Sequence, residues 1–91
     1  MFSHKIPFLQ LENFECDKEI VNIIPEEMAR NYKVVALEKI TGVNINVLTV
    51  GMTNPRDMTT RGILERRLNH KVIPFEVDNQ ELINVINNNY N

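Results

Sequence analysis

The alternation of apolar and polar positions predicts three strands in this chain. Residues 33–40 and 45–52 are rich in β-branched side chains, and the TGVN segment between them predicts a hairpin. Residues 71–77 form a further run, in which Pro74 predicts an edge position or a bulge, because proline cannot donate to a sheet ladder. Apolar side chains occur in both alternating sets of the second run, so we expect a central strand that is partly covered on both faces.

Local signals predict an extended segment and two short helices ahead of the hairpin. Residues 7–11 alternate apolar and polar side chains, as in a short edge strand. Asp17 is a good N-cap for a helix over residues 18–24. Pro25 then ends that helix and is expected to serve as the first residue of a second helix over residues 25–32.

Two longer helices are predicted after the hairpin. Asn54 and Pro55 are expected to open the third helix, which runs to Leu68, and Asn69 can close it in the left-handed conformation. The fourth helix has the clearest start.

Asp78 can cap the fourth helix, and Glu81 completes a capping box. Its apolar stripe consists of Leu82, Val85, Ile86 and Tyr90. The final NNNYN segment is expected to fray.

The order of these elements predicts an α+β fold with two layers. We expect a small three-stranded mixed sheet, made of one hairpin plus a crossover strand, with about four helices on one face. A length of 91 residues suits a single domain over residues 1–91.

Composition narrows the classes of function. The net charge is −2, whereas a nucleic-acid binder normally has a strong basic excess, so we expect no nucleic-acid partner. Cys16 is the single cysteine, and His4 and His70 are the two histidines, which are too few ligands for a structural zinc site. We expect no metal, no cofactor and a reduced, cytosolic setting, and no apolar run is long enough to insert into a membrane.

Residues 47–58, VLTVGMTNPRDM, raise the main chemical question. A helix start after a strand offers backbone N–H groups to an anion, and a guanidinium could assist, so Asn54 and Arg56 form a candidate anion site. Phosphate-binding loops are rich in glycine, but this segment has Gly51 alone, and Pro55 removes one N–H group. The pattern therefore favours a helix cap over an anion site.

The third helix takes most of its charge from Arg56, Arg61, Arg66 and Arg67. The pattern favours a solvated face over the alternative, a basic docking surface for an acidic partner. Gly62 costs this helix about 1 kcal/mol relative to alanine, and its apolar positions form no clean stripe, so tertiary packing must hold it. The sequence contains no evident nucleophile–base pair, so we expect no catalytic residues and no enzyme activity.

Four segments together resemble the N-terminal domain of type II secretion and type IV pilus assembly ATPases. They are IIPEEMARNYKVVALEK, LTVGMTNPRDM, KVIPFEV and a capped last helix ending in NNNY. The family typically shows, in this order, a P-E-x-x-A-x-x-Y helix, an L-T-V-A-M-x-D-P turn, a K-V-x-P strand and a closing helix that ends near tyrosine. The match covers residues 6–90 and departs from the family pattern at Ala36, Gly51, Asn54, Arg61, Arg66, Arg67 and Asn69.

The resemblance implies a regulatory or docking domain that lies ahead of an ATPase motor domain in cis. Such a domain contacts the cytoplasmic part of an inner-membrane platform protein, so it would be cytoplasmic and peripheral to the inner membrane through that partner. In some members an upstream region binds cyclic di-GMP. The paired R-L-G-x-x-L segments that resemble that site, and the Walker motifs of the motor, do not occur in this sequence.

We therefore favour a non-catalytic interaction domain that docks through the short helices between Asp17 and Tyr32, together with a sheet edge. The candidate partner-binding residues are Ile20, Ile24, Met28, Tyr32, Arg61 and Arg66. The alternative is a small-ligand sensor that binds a nucleotide or cyclic di-GMP at the turn containing Asn54 and Arg56.

Overall fold

The computed structural model describes residues 5–90 of the chain, so His4 and Asn91 lie outside the described residues. The elements are a 3-10 turn (Leu11–Asn13), α1 (Lys18–Val21), α2 (Glu26–Tyr32), β1 (Val34–Gly42), β2 (Ile45–Met52), α3 (Met58–Leu68), β3 (Lys71–Glu76) and α4 (Asn79–Asn89). Within residues 5–90 the three-stranded mixed sheet and four α-helices confirm the predicted α+β class.

The strand β2 lies at the centre of the sheet, as predicted. It pairs antiparallel with β1 and parallel with β3, so the strand order is β1-β2-β3. Pro74 is tolerated because β3 is the outer strand, as predicted from the proline. The predicted extended segment flanks the end of β3, where the Glu76 N–H donates to Pro7 O (2.8 Å) and the Leu9 N–H donates to Glu76 O (2.9 Å).

The strand β1 changes its surroundings halfway along its length. Residues from Val34 to Leu37 are buried, whereas every residue from Glu38 to Gly42 is exposed. The register of the hairpin shifts between Ala36 and Glu38, so Leu37 is the extra residue of a β-bulge. The bulge separates an inner half of the hairpin, which belongs to the core, from an outer half that projects into solvent.

The core is built around the inner half of the hairpin. Consecutive strand residues point to opposite faces of a sheet, and residues 34–37 and 48–52 are buried without interruption. Both faces of the sheet are therefore covered at this end, which agrees with the expected double cover of β2. Leu64, Leu82 and Ile86 of the helices contribute fully buried side chains, as does Ile24 between α1 and α2.

The predicted N-caps of α1 and α4 are confirmed. The Asp17 carboxylate accepts the N–H of Glu19 at 2.9 Å, and the Asp78 carboxylate accepts the N–H of Glu81 at 3.1 Å. The predicted capping box is half formed, because Glu81 Oε1 accepts the N–H of Leu11 at 2.8 Å instead of turning back to the cap. A tertiary hydrogen bond that ties the 3-10 turn to α4 thus takes the place of a local one.

The two short helices differ from the prediction at their ends. The helix α1 stops at Val21 instead of continuing to residue 24, because Ile24 precedes a proline and is disfavoured in the helical conformation. Pro25 is the N-cap of α2 and does not begin it. Lys33, expected to begin the first strand, instead ends α2 in the left-handed conformation, with φ 57°.

The predicted start of the third helix is wrong, whereas its predicted end is confirmed. The sequence places the cap at Asn54 and the first helical residue at Pro55, but α3 begins at Met58 with Asp57 as its N-cap. Aspartate is as good a cap as asparagine, so the local pattern allowed both positions. Asn69 closes α3 in the left-handed conformation, with φ 54°.

The C-terminal segment is anchored up to Tyr90, so the prediction of a frayed end is wrong there. Tyr90 is 7% exposed, and its hydroxyl lies 2.7 Å from Val21 O and 2.6 Å from Ile24 O. Carbonyl groups at a helix end lack partners within the helix, and the Tyr90 hydroxyl supplies a donor to those at the end of α1. Burial raises the pKa of Tyr90 to about 12, and the Glu26 carboxylate adds to this rise.

Replacing the hydroxyl should weaken the fold. We expect Tyr90→Phe to lower the free energy of unfolding by about 1–3 kcal/mol, because the carbonyl groups of Val21 and Ile24 lose the single hydroxyl donor that they share in a buried place. Urea denaturation measures the change, and Tyr32→Phe, at a half-buried tyrosine, is the control. A loss no larger than that of the control would contradict the assigned role.

The same variant predicts how stability depends on pH. Since the pKa of Tyr90 is raised in the folded chain, its contribution is complete below its ordinary pKa of 10.0 and is lost as pH rises towards about 12. The difference in unfolding free energy between wild type and Tyr90→Phe should therefore shrink over this range. Urea denaturation at several pH values measures this difference in unfolding free energy. A difference that stays constant over the range would show that the hydroxyl is not buried.

Candidate binding surfaces

The start of α3 is already occupied by a carboxylate of the protein. Asp57 Oδ1 accepts the N–H groups of Thr59 (3.1 Å) and Thr60 (3.2 Å), and Oδ2 accepts the Thr60 hydroxyl at 2.9 Å. Hydrogen bonds from the Thr60 backbone and side chain hold the pKa of the Asp57 carboxyl below its usual value. An anion at this helix start would have to displace Asp57.

The two residues of the candidate anion site are not brought together in one cavity. Arg56 and Arg61 line a shallow cavity of about 390 Å³, and Asn54 is not among its lining residues. The remaining lining residues are Ile6, Pro55, Met58 and Pro74. The Asn54 carbonyl instead accepts the N–H of Asp57 in the turn before α3. Anion binding by Asn54 and Arg56 stays a prediction.

Gly51, the glycine of the same segment, is explained by packing. A Cβ at this position would lie 3.0 Å from Val77 Cγ1 and 3.3 Å from Val35 Cγ1, closer than side-chain atoms normally approach. The missing side chain therefore lets the residue after β3 pack directly on the central strand.

Two of the four partner-binding residues predicted between Asp17 and Tyr32 are buried in the core. Ile24 is fully buried and Met28 is 6% exposed, whereas Ile20 and Tyr32 are half-buried. The apolar stripe that suggested a docking face packs inside the domain, so we correct the assignment of Ile24 and Met28 as accessible contacts. Ile20 and Tyr32 remain partly accessible to a partner.

Tyr32 and Arg66 are brought together in a second shallow cavity. Its lining residues, Tyr32, Ile63, Arg66 and Arg67, come from α2 and α3, and its volume is about 310 Å³. We call this cavity the α2–α3 cleft. It combines an aromatic ring and an aliphatic side chain with two guanidinium groups. Arg61 lies in the other cavity, so the predicted set of basic contacts is divided between two places.

The sheet exposes an apolar surface that the sequence reasoning missed. Ile40 lies opposite Val47 across the hairpin, and Ile73 lies opposite Thr49, so these side chains and that of Ile45 share one sheet face. Ile40 is 51% exposed, Ile45 is 56% exposed and Ile73 is 40% exposed. We call Ile40, Ile45, Val47 and Ile73 the hairpin face. In the sequence, the alternation of Ile45 and Val47 was the signal that could have indicated this face.

The remaining reactive side chains lie in structural settings. Burial raises the pKa of the Cys16 thiol, which disfavours the nucleophilic thiolate. His70 Nδ1 lies 2.6 Å from Leu68 O, so this nitrogen is expected to carry the ring proton. Across residues 5–90 no cluster of three or more His, Cys, Asp or Glu side chains could hold a metal ion, and no helix there is long and apolar enough to cross a membrane.

Comparison with known proteins gives one family and several similar solved structures, among them those of MshE and XpsE. The family model of the MshEN domain matches residues 4–91. A structure of MshE with cdg has a TM-score of 0.82 at 19% identity, over 93% of this chain and 59% of that chain. The N-terminal domain of XpsE has a TM-score of 0.78 at 10% identity, over 94% of this chain and 58% of that chain.

No curated protein matches the sequence. At these identities the two solved structures show a shared fold alone. The chain spans about three fifths of the length of each matched structure.

The cap of α3 can be tested directly. We expect Asp57→Ala to increase amide hydrogen exchange at Thr59 and Thr60, whereas Asn54→Ala should leave both amides protected. Because the pKa of Asp57 is lowered, the cap stabilises above the ordinary carboxyl pKa and is lost as pH falls through the lowered one. Asp57→Asn should retain the cap and lose this acid dependence. Equal exchange in the Asp57→Ala and Asn54→Ala variants would refute the assignment.

Proposed function

The chain belongs to the MshEN domain family, and we propose that it is a non-catalytic docking domain of a bacterial type II secretion or type IV pilus assembly ATPase. In this role residues 1–91 form one domain that binds the cytoplasmic domain of an inner-membrane platform protein. A motor domain in cis would supply ATP hydrolysis. The domain would act in the cytoplasm, held at the inner membrane by its partner.

The observation that carries this proposal is the exposed hairpin face. Soluble domains rarely leave several large aliphatic side chains exposed side by side unless a partner covers them. Within residues 5–90 Ile40 and Ile45 stay more than half exposed, although the inner half of the same hairpin is buried. Folding leaves these side chains exposed to water. Burying them against a partner would therefore contribute favourable hydrophobic free energy to binding.

The edge of the sheet supports a protein partner over a small ligand. In the described part of the chain, β1 pairs with β2 alone, so its outer edge, from Glu38 to Gly42, has no strand neighbour. Such an edge can accept a strand of another protein while the adjacent face contacts its side chains. An open edge and an exposed sheet face offer little enclosure to a small molecule.

Weakening the hairpin face should weaken docking while the fold is retained. We expect Ile40→Thr combined with Ile45→Thr to reduce affinity for the cognate platform protein's cytoplasmic domain about tenfold. Threonine keeps the β-branched shape that strands prefer, so the sheet should persist. Calorimetric titration measures the affinity, and circular dichroism checks the fold.

Phe8→Thr is the matched control, since Phe8 is exposed to a similar extent (58%) and lies at the opposite side of the sheet, next to β3. Equal loss in the control and in the hairpin variant would contradict a specific role of the hairpin face. Failure of the wild-type domain to bind at high micromolar concentration would overturn the proposed function itself.

A second candidate function is a sensor of cyclic di-GMP. It is favoured by the likeness to MshE, solved with cdg, and by the α2–α3 cleft, where two guanidinium groups and an aromatic ring could contact phosphates and a base. Titration of cyclic di-GMP, followed by amide NMR shifts, distinguishes this sensor from a docking domain. Shifts clustered at Tyr32, Arg66 and Arg67 would locate a ligand in the cleft.

Shifts clustered at residues 51–57 and lost on Arg56→Ala would instead support the turn as the nucleotide site. The absence of concentrated shifts at either place would exclude the sensor function for this chain. Arg30→Ala, at a solvent-exposed ion pair with Glu26, is the control for general loss of positive charge.

A further inference from the structure

We infer that the α2–α3 cleft binds an acidic, partly apolar segment of a partner polypeptide. In this arrangement an aliphatic or aromatic side chain of the segment rests against Tyr32 and Ile63, and its carboxylates bind Arg66 and Arg67. The cleft shares no residue with the hairpin face, so this would be a second contact surface, beyond the proposed docking function.

The first support is that the two arginines have no acidic partner within the described residues. The ion pairs there join Arg30 to Glu26 and Arg61 to Glu65. Glu65 is the single acidic residue of α3, and its carboxylate also accepts the N–H of Val72 at 2.9 Å. No carboxylate of α3 is thus left to neutralise Arg66 or Arg67.

The second support is the surface beside the arginines. Basic residues in the last turn of a helix stabilise its dipole, which explains why arginine is tolerated at positions 66 and 67. The dipole does not explain why both guanidinium groups border a cavity whose other lining residues are a tyrosine and an isoleucine. Arginine next to an aromatic ring and an aliphatic side chain is a common composition of protein-binding hot spots.

Charge complementarity identifies the occupant. The whole chain has a net charge of −2, whereas α3 carries three arginines and one glutamate, so the positive surface is local. A nucleic acid or an anionic membrane favours a broad basic surface, which an acidic chain opposes. A single guanidinium group binds a carboxylate through paired hydrogen bonds, so two neighbouring arginines are enough for the carboxylates of a short peptide segment.

The test uses the full chain and a synthetic amphipathic helical peptide with leucine on one side and glutamate flanking it. We expect the peptide to shift the amide NMR signals of Tyr32, Ile63, Arg66 and Arg67, with affinity falling as salt is raised. Arg66→Gln combined with Arg67→Gln should weaken binding about tenfold or more. A charge-matched control, Arg30→Gln combined with Lys5→Gln, should bind as the wild type does.

Two further probes make the outcome decisive. The same peptide with glutamine in place of glutamate should lose most of its affinity. Tyr32→Ala should weaken binding of the peptide without removing the salt dependence of that binding, because the substitution alters the apolar contact and keeps both arginines. Absence of peptide binding, or equal loss in the control variant, would overturn the inference.

Stronger perturbation of the cleft by cyclic di-GMP, or by vesicles of anionic lipid, than by the peptide would also overturn it. None of these variants alters the hairpin face. Retained binding of the platform protein by the Arg66→Gln and Arg67→Gln double variant would therefore separate a failure of this inference from a failure of the proposed function.

Discussion

The fold depends on β2, which hydrogen-bonds to the antiparallel strand β1 on one side and to the parallel strand β3 on the other. Leu48, Val50 and Met52 are buried almost completely on this strand, and each fully buried side chain of this kind contributes about 1.5–3 kcal/mol relative to an exposed one. Gly51 lets Val77 approach the other face closely. A central strand with both edges paired and both faces covered at one end fixes where every other element can lie.

The parallel pairing of β2 with β3 also determines the role of α3. Parallel neighbours need a crossover connection, and α3 provides it although its apolar side chains form no continuous stripe. It is held mainly at its ends, by the Asp57 cap, by Asn69 in the left-handed conformation and by the bond from the Val72 N–H to Glu65. Leu64 packs in the core and Arg61 lies 3.9 Å from Glu65, whereas Arg66 and Arg67 are exposed and can contact a partner.

The sequence predicted the strands, the strand β2 as the centre and the edge position of Pro74, because periodicity and proline chemistry act locally. The prediction failed where two local conformations were nearly equal in free energy. It also failed where a group distant in the sequence determined the conformation. Asn54 and Asp57 are both good caps, and the helix begins after Asp57. Glu81 left its capping box for the N–H of Leu11, and Tyr90 reached back to α1, which no local pattern reveals.

The candidate surfaces, like the fold, could be predicted from the sequence only in part. Tyr32 and Arg66 were both singled out in the sequence, and the structure brings them into one cleft. Ile24 and Met28 could not be distinguished from exposed residues, since an apolar stripe on a short helix can face either the core or a partner. Leu37 could not be identified either, because a bulge is a property of pairing between strands.

The extra residue at Leu37 has an evolutionary implication. Because Leu37 has no partner on β2, deleting it would join Ala36 to Glu38 in the register that the two strands already have, and Ile40 would stay opposite Val47. A single-codon deletion at this position would therefore remove the local bend and twist of the bulge without changing which side chains the hairpin offers to a partner. Related proteins could differ in the direction in which the outer hairpin projects while keeping the same interior and the same exposed side chains.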